Sequence, residues 1–285
     1  MSPLLMIVAF LYLAVSALRG WVNFLNLRHA ERANLPPDFQ GVVDEEKYRE
    51  AQRYLAAQTT YGLVSRIVST ILSLGFLLGG GFSVLDRMSQ PWAAGPVSHA
   101  LLYFLGLGVL DQIVELPFSW YHTFILEQRF GFNRSTFKTF VGDVLKGWLL
   151  GLVLGGVLAG MVLSLFVNGG PLAWFWAWLA FTSFQLLITF LAPVLLMPLF
   201  NRFEPLPAGE LKSAIESFAS RVNFRLQGIF TMDGSRRSSK ANAFFTGFGR
   251  FRRIVLFDTL IKQQTVQELV AVLAHEVGHF KRDRK

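Results

Sequence analysis

LKGWLLGLVLGGVLAGMVLSLF, residues 145–166, decides the architecture. Its only charge is Lys146, near the start. As a helix it would rise about 33 Å, enough to cross the hydrocarbon core of a bilayer. A helix apolar on every face over such a length belongs in lipid or in a very large core. Four further stretches read the same way: 4–24, 67–85, 100–121 and 172–200, the last broken by Pro193 and Pro198. The 4–24 stretch lacks the basic start and small-residue cleavage site of a signal peptide, so it is expected to remain in the mature chain.

Composition agrees. The 285-residue chain is 52% hydrophobic and 16% charged, with mean hydropathy +0.41. An ordinary globular chain is about 25% charged, so this one has too little polar surface for a water-soluble body. It has no cysteine, which excludes a disulfide framework or a thiolate metal site. Any metal must use His, Asp or Glu, and the histidines are His29, His99, His122, His275 and His279. The net charge of +8 is uneven: residues 201–285 carry 15 Lys/Arg against 8 Asp/Glu. Such a surface can attract nucleic acid or anionic lipid. Beside a membrane, lipid contact and topology need fewer assumptions, and no nucleic-acid partner is expected.

The loops set an orientation. Arg28, Arg32, Lys47, Arg49 and Arg53 fall between the first two stretches, Arg87 alone in the next gap, and Arg129, Arg134 and Lys138 in the third. The fourth gap, 168–171, has none. Positive loops stay cytoplasmic, which puts the N-terminus outside and the basic tail inside. Asp111 and Glu115, four apart in the third stretch, share one helical face. They suit either a partly buried polar contact or the wall of a water-filled cavity.

After residue 200 the texture changes. Residues 206–222 alternate at helical spacing, with Leu211, Ile215, Phe218 and Ala219 on one face. Three β-like runs follow, 228–232, 241–246 and 253–257, separated by a polar turn at 233–240 and a Gly-containing one at 247–250. They read as a short antiparallel sheet. A last helix is predicted over 265–281, opened by a capping box of Thr265 and Glu268 and striped by Leu269, Val272, Leu273 and Val277. The expected fold is mainly α: a polytopic transmembrane bundle, 1–203, followed by the start of a small α+β domain, 204–285.

That last helix contains His275-Glu276-Val277-Gly278-His279. Histidines four apart project from one helical face, and two imidazoles so placed can meet one Zn²⁺ at about 2.0–2.1 Å. Glu276, beside the first ligand, can act as general base toward water without being a ligand itself. The bland alternative is a pair of surface histidines. Against it, the flanks Val272-Leu273-Ala274 and Val277-Gly278 are small or apolar, which points to a buried helix. Gly278 costs about 1 kcal/mol in a helix, which close approach of another backbone, or of substrate, would explain. Catalytic zinc normally has three protein ligands; only two stand in this motif, and the third is expected downstream of Lys285.

Four stretches resemble the CAAX prenyl protease type 1 family, integral-membrane zinc metallopeptidases that process prenylated proteins. They are LEQRFGFN at 126–133, PLFNRF at 198–203, SKANAFF at 239–245 with RIVLFDT at 253–259, and HEVGH at 275–279. The resemblance implies seven membrane helices around a hydrated chamber, with zinc facing inward near the cytoplasmic side. It implies His275 and His279 as zinc ligands, Glu276 as the catalytic carboxylate, and Asn242, Ala243 and Phe244 as the strand that pairs with an extended substrate. It also implies a glutamate third ligand after the His motif, so a C-terminal segment or a partner chain would be needed to complete the site. Lys240, Arg236, Arg237, Arg252 and Arg253 could steer a peptide carboxylate or contact headgroups, although most read as solvated positive-inside residues. The expected partners are a peptide or prenylated protein substrate and membrane lipid, in a bacterial inner membrane or the endoplasmic reticulum. The rivals are a membrane heat-shock zinc protease, which resembles this layout with fewer spans, and an inactive scaffold or fragment.

Overall fold

The computed structural model describes residues 2–32, 35–37, 40–41, 43–224, 226–246 and 253–282, side chains at 31, 32, 276 and 279–282 excepted. The predicted turn at 247–250, Arg252 and the side chains of Glu276 and His279 therefore lie outside the described residues. Among the described residues, five helices are long and apolar enough to cross a membrane. Their apolar side chains are largely exposed, including Leu4, Phe10, Ile71, Leu149 and Leu186. Only lipid would tolerate that much exposed hydrocarbon, so this is a multi-pass membrane protein. Two compact units divide the chain, Met1–Phe130 and Gly131–Lys285.

The first unit holds α1 (Pro3–Arg32), α2 (Glu45–Leu78), α3 (Gly81–Ser89) and α4 (Pro96–Arg129). The helix α1 packs along α2, and Ser16 Oγ meets Thr70 Oγ1 at 2.6 Å. The 67–85 stretch is corrected. Asp44 caps α2 by accepting from the amides of Glu46 and Lys47, so the helix starts far earlier and includes Lys47, Arg49 and Arg53. It ends at a turn through Gly80, whose φ of 75° favours glycine. Asp111 and Glu115 lie on α4 and are exposed. The acid buried among the described residues of this unit is instead Glu127, which accepts from Tyr54 Oη and from Gln58 Nε2 at 3.4 Å.

In the second unit α5 (Phe137–Asn168) and α6 (Gly170–Phe200) form the fourth and fifth spans. The latter passes through a π turn at Ala192–Leu196. Pro193 has no amide to donate and upsets the regular ladder there. The chain then builds β1 (Phe203–Pro205), α7 (Glu210–Arg221), β2 (Gly228–Met232), β3 (Ala243–Thr246), β4 (Arg253–Phe257), α8 (Asp258–Gln263) and α9 (Val266–Arg282).

The sheet order is β1-β2-β4-β3. Its antiparallel reading needs correction: β1–β2 and β3–β4 are antiparallel, but β2 and β4 are parallel. The segment 233–242 carries the chain past the central position to the edge, and β4 returns between β2 and β3. The unbroken apolar run Ile254-Val255-Leu256, all three residues buried, suits a strand covered on both faces. Ile215 of α7, Ile229 of β2, Ile254 and Leu256 of β4, and Leu269 and Leu273 of α9 close one core. The face called for α7 is borne out at Ile215 and Ala219, both buried.

Candidate active site

The helix α9 starts as its sequence requires. Thr265 N and Oγ1 both donate to Glu268 Oε2, at 2.7 and 2.9 Å, and Glu268 N donates back to Thr265 Oγ1 at 3.4 Å. These reciprocal bonds satisfy amides that a helix start leaves open and hold the exposed Glu268 carboxyl below the usual carboxylate range. From there the helix runs unbroken through residues 275–279.

Its buried stripe is Leu269, Leu273 and Val277, at 1%, 2% and 4% exposure. His275 is exposed. This corrects the expectation that apolar flanks bury the motif: two residues of helix turn a side chain by about 200°, so burying Leu273 and Val277 turns His275 outward. A Cβ built on Gly278 would meet nothing within 4 Å, so close backbone approach does not explain that glycine among the described residues. The backbone of Glu276 and His279 is helical, which puts residues 275 and 279 one above the other on one face. Among the described residues no three His, Asp or Glu side chains gather to hold a metal.

Beneath α9 lies β3, with Ala243 and Phe245 packed on the shared core. It is an edge strand of the sheet, β1 being the other. Its register pairs Phe244 with Val255 and Ala243 with Leu256, and Phe257 N donates to Asn242 O at 3.1 Å. Bonded pairs alternate along an antiparallel ladder. Asn242 and Phe244 therefore direct their main-chain groups toward β4, and Ala243 and Phe245 direct theirs to the outer edge. Asn242 Oδ1 accepts from Ala243 N at 2.9 Å. Phe245 escapes a reading based on sequence, because ladder phase depends on the partner strand.

The turn at 233–240 is tied down at both ends. Asp258 Oδ1 accepts from Ser235 N and Thr259 N at 2.8 and 2.9 Å, and Oδ2 accepts from Ser235 Oγ. Burial pushes the Asp258 carboxyl up, but the Ser235 and Thr259 bonds and nearby Lys262 outweigh it and hold it below the ordinary range. A carboxyl lowered on folding contributes stability above its unfolded pKa, about 3.9 for Asp, and loses it as pH falls through the folded value. Replacing Asp258 with Asn is therefore expected to cost about 1–3 kcal/mol at pH 7. The gap from the parent should close as the pH drops below that range, which thermal melts in detergent across pH would show. An equal gap at pH 2 would refute this.

Three basic residues of this region, Lys240, Arg253 and Arg237, have partners. Lys240 Nζ lies 4.9 Å from the Phe132 ring centroid and Arg253 sits over Phe230, with Arg253 Nε also donating to Gln227 at 3.2 Å. Arg237 grips Asp143 with Nε and Nη2 at 2.7 and 2.9 Å. An acid at the edge of a membrane span needs a partner, so Asp143 was the signal for this pair.

Comparison with known proteins decides the family. Residues 26–202 match a family described as CAAX prenyl protease N-terminal, five membrane helices, and residues 205–284 match peptidase family M48. The chain belongs to the CAAX prenyl protease family. Among family members, CAAX prenyl protease 1 homolog of Arabidopsis thaliana is 35% identical over 271 residues, which are 91% of this chain and 64% of that protein. CAAX prenyl protease 1 of Saccharomyces cerevisiae is 34% identical over 293 residues, 99% of this chain and 64% of the other. The crystal structure of S. mikatae Ste24p superposes with a TM-score of 0.92 at 33% identity, covering all of this chain and 68% of that one. The chain thus spans a little under two thirds of the length of these curated CAAX prenyl proteases. Its membrane helices and M48 segment stand in the order the family motifs led one to expect.

Proposed function

We propose that this chain carries the membrane domain and the HExxH half of a zinc metalloendopeptidase that cleaves prenylated or hydrophobic peptides near their C-termini. The observation that carries this reading is the placement of residue 275, exposed on a helix whose opposite face is locked into the sheet core. An i, i+4 pair of imidazoles on such a face fits one edge of a tetrahedral zinc site, so His275 and His279 would hold the metal. When bound, zinc supplies Lewis acidity, acidifying water and polarising the scissile carbonyl. The Glu276 carboxylate takes a proton from the attacking water and gives it to the leaving amine nitrogen. The edge of β3 holds the substrate backbone. Its outward groups belong to Ala243 and Phe245, flanked by Asn242 and Phe244, and strand addition needs no particular side chains.

The reading requires a third zinc donor beyond the two imidazoles. It divides the protein at residues 203–204 into membrane and protease parts. The basic loops and the protease part would be cytoplasmic, in a bacterial inner membrane or the endoplasmic reticulum. Zinc titration against a chromogenic chelator, on protein in mild detergent, tests the ligand assignment. One site is expected, weakened at least roughly tenfold by His275→Ala or His279→Ala, since each removes a direct ligand. Equal zinc binding by the double variant would sink it.

A further inference from the structure

The Arg237 guanidinium is committed to four hydrogen bonds. Two reach Asp143 of α5, at 2.7 and 2.9 Å. Nη1 donates to Asn201 Oδ1 at 2.8 Å and Nη2 to Phe200 O at 2.6 Å, both at the end of α6. The pair is largely shielded, at 23% and 26% side-chain exposure. A planar fork satisfied on several sides holds direction as well as charge. A half-buried ion pair adds little net stability against an apolar replacement, so its value here is geometric.

What it holds is the root of β3. The backbone around Arg237 is fixed by Arg134 N donating to Arg237 O and Ser239 N to Phe132 O, both at 3.0 Å. Further along, Gln263 Nε2 donates to Ser239 O at 3.1 Å and Thr259 Oγ1 to Lys240 O at 2.9 Å. Three residues later β3 begins at Ala243. On the face of the sheet away from the core, Pro193, Val194 and Met197 of α6 cover a cavity of about 80 Å³ whose floor includes Phe244 and Val255. The end of α6 that Arg237 grips is thus continuous with the roof over β3. A cavity there leaves β3 without tight packing on that side, and the clasp sets the separation.

We propose that Arg237 is a positioning residue: through Asp143 and the Phe200–Asn201 turn it fixes the outer edge of β3 relative to the fourth and fifth spans, so that a pairing peptide lies in register with residues 275–279. This rests on the reading of β3 as the substrate strand. The test uses the full-length enzyme in nanodiscs, with Arg237→Lys, Arg237→Ala and Asp143→Asn. It reads kcat and KM on a farnesylated C-terminal peptide, amide exchange at 243–246, and the thermal midpoint. Arg237→Lys keeps the charge but loses the fork. It is expected to lower kcat roughly 10- to 100-fold, the usual cost of misplacement near 1 Å, with KM within about twofold. Exchange at 243–246 should quicken more than in β2 or α7. Parental kcat and exchange in all three variants would overturn the proposal, as would a lower midpoint with exchange raised evenly everywhere. If the parent enzyme cleaves nothing, the proposed function fails on its own, and exchange at β3 still decides the role of Arg237. If Arg237→Ala does not fold, the Lys and Asn variants carry the decision.

Discussion

Glu276→Gln is expected to lower kcat for peptide hydrolysis roughly 10²- to 10⁴-fold, the range that a positioned general base contributes. Zinc content and thermal midpoint should stay at parental values. The substitution removes one ionisable oxygen and keeps the length of the side chain, and Gln and Glu are nearly equal helix formers. Both imidazoles remain, so the metal should too. The same helix supplies its own control in Glu268, another carboxylate of α9. Glu268 is spent on the capping box with Thr265, so Glu268→Gln should leave kcat almost intact and soften only the helix start. Discontinuous assay with a quenched-fluorescent prenylated peptide reads the first effect, and circular dichroism melts read the second. Turnover by Glu276→Gln within about threefold of the parent would remove Glu276 from the chemistry and leave His275 and His279 as a metal site without a base.

The two kinds of residue in α9 also explain what a sequence can and cannot disclose. The spans were legible because crossing lipid demands an apolar surface on every side, a property of composition alone. Their ends were not. Residues 45–66 are polar enough to read as loop, yet Asp44 caps them into α2, and Gly80 rather than the end of the apolar run stops the helix. The capping box and the core stripe of α9 were legible because both are local patterns. The exposure of His275 is not legible in the same way: apolar flanks predict a buried motif, whereas helical phase buries Leu273 and Val277 and turns His275 away. The parallel pairing of β2 with β4, the outward groups of Phe245 and the grip of Arg237 on Asp143 all join residues far apart in the chain. No local period encodes such pairings, and only the presence of an acid, Asp143, at the margin of α5 hints at one of them.

Leu273→Ala should strongly damage the fold of the second unit. Leu273 is 2% exposed and packs with Ile215, Leu256 and Leu269, at the point where α9, α7 and β4 share one core. Truncating a buried Leu to Ala costs about 2–5 kcal/mol, the spread reflecting how far the site can collapse. Collapse is difficult here, because the sheet on one side and α7 on the other are each held by their own pairings. Whole domains are stable by only about 5–15 kcal/mol, so a loss of this size is a large share of the margin. The effect should also reach the chemistry. His275 lies two residues on and faces outward only because Leu273 faces inward, so a helix that shifts to fill the cavity turns the motif with it. Zinc affinity should therefore fall in Leu273→Ala even at temperatures where the protein remains folded. Val272→Ala is the matched control: it removes apolar carbons from the neighbouring residue, which is 36% exposed, and should cost under about 1 kcal/mol. Urea titration followed by tryptophan-independent circular dichroism, with zinc titration on the same samples, reads both effects. A Leu273→Ala protein with parental zinc affinity and a loss below about 1 kcal/mol would mean that something other than this core orients the motif helix.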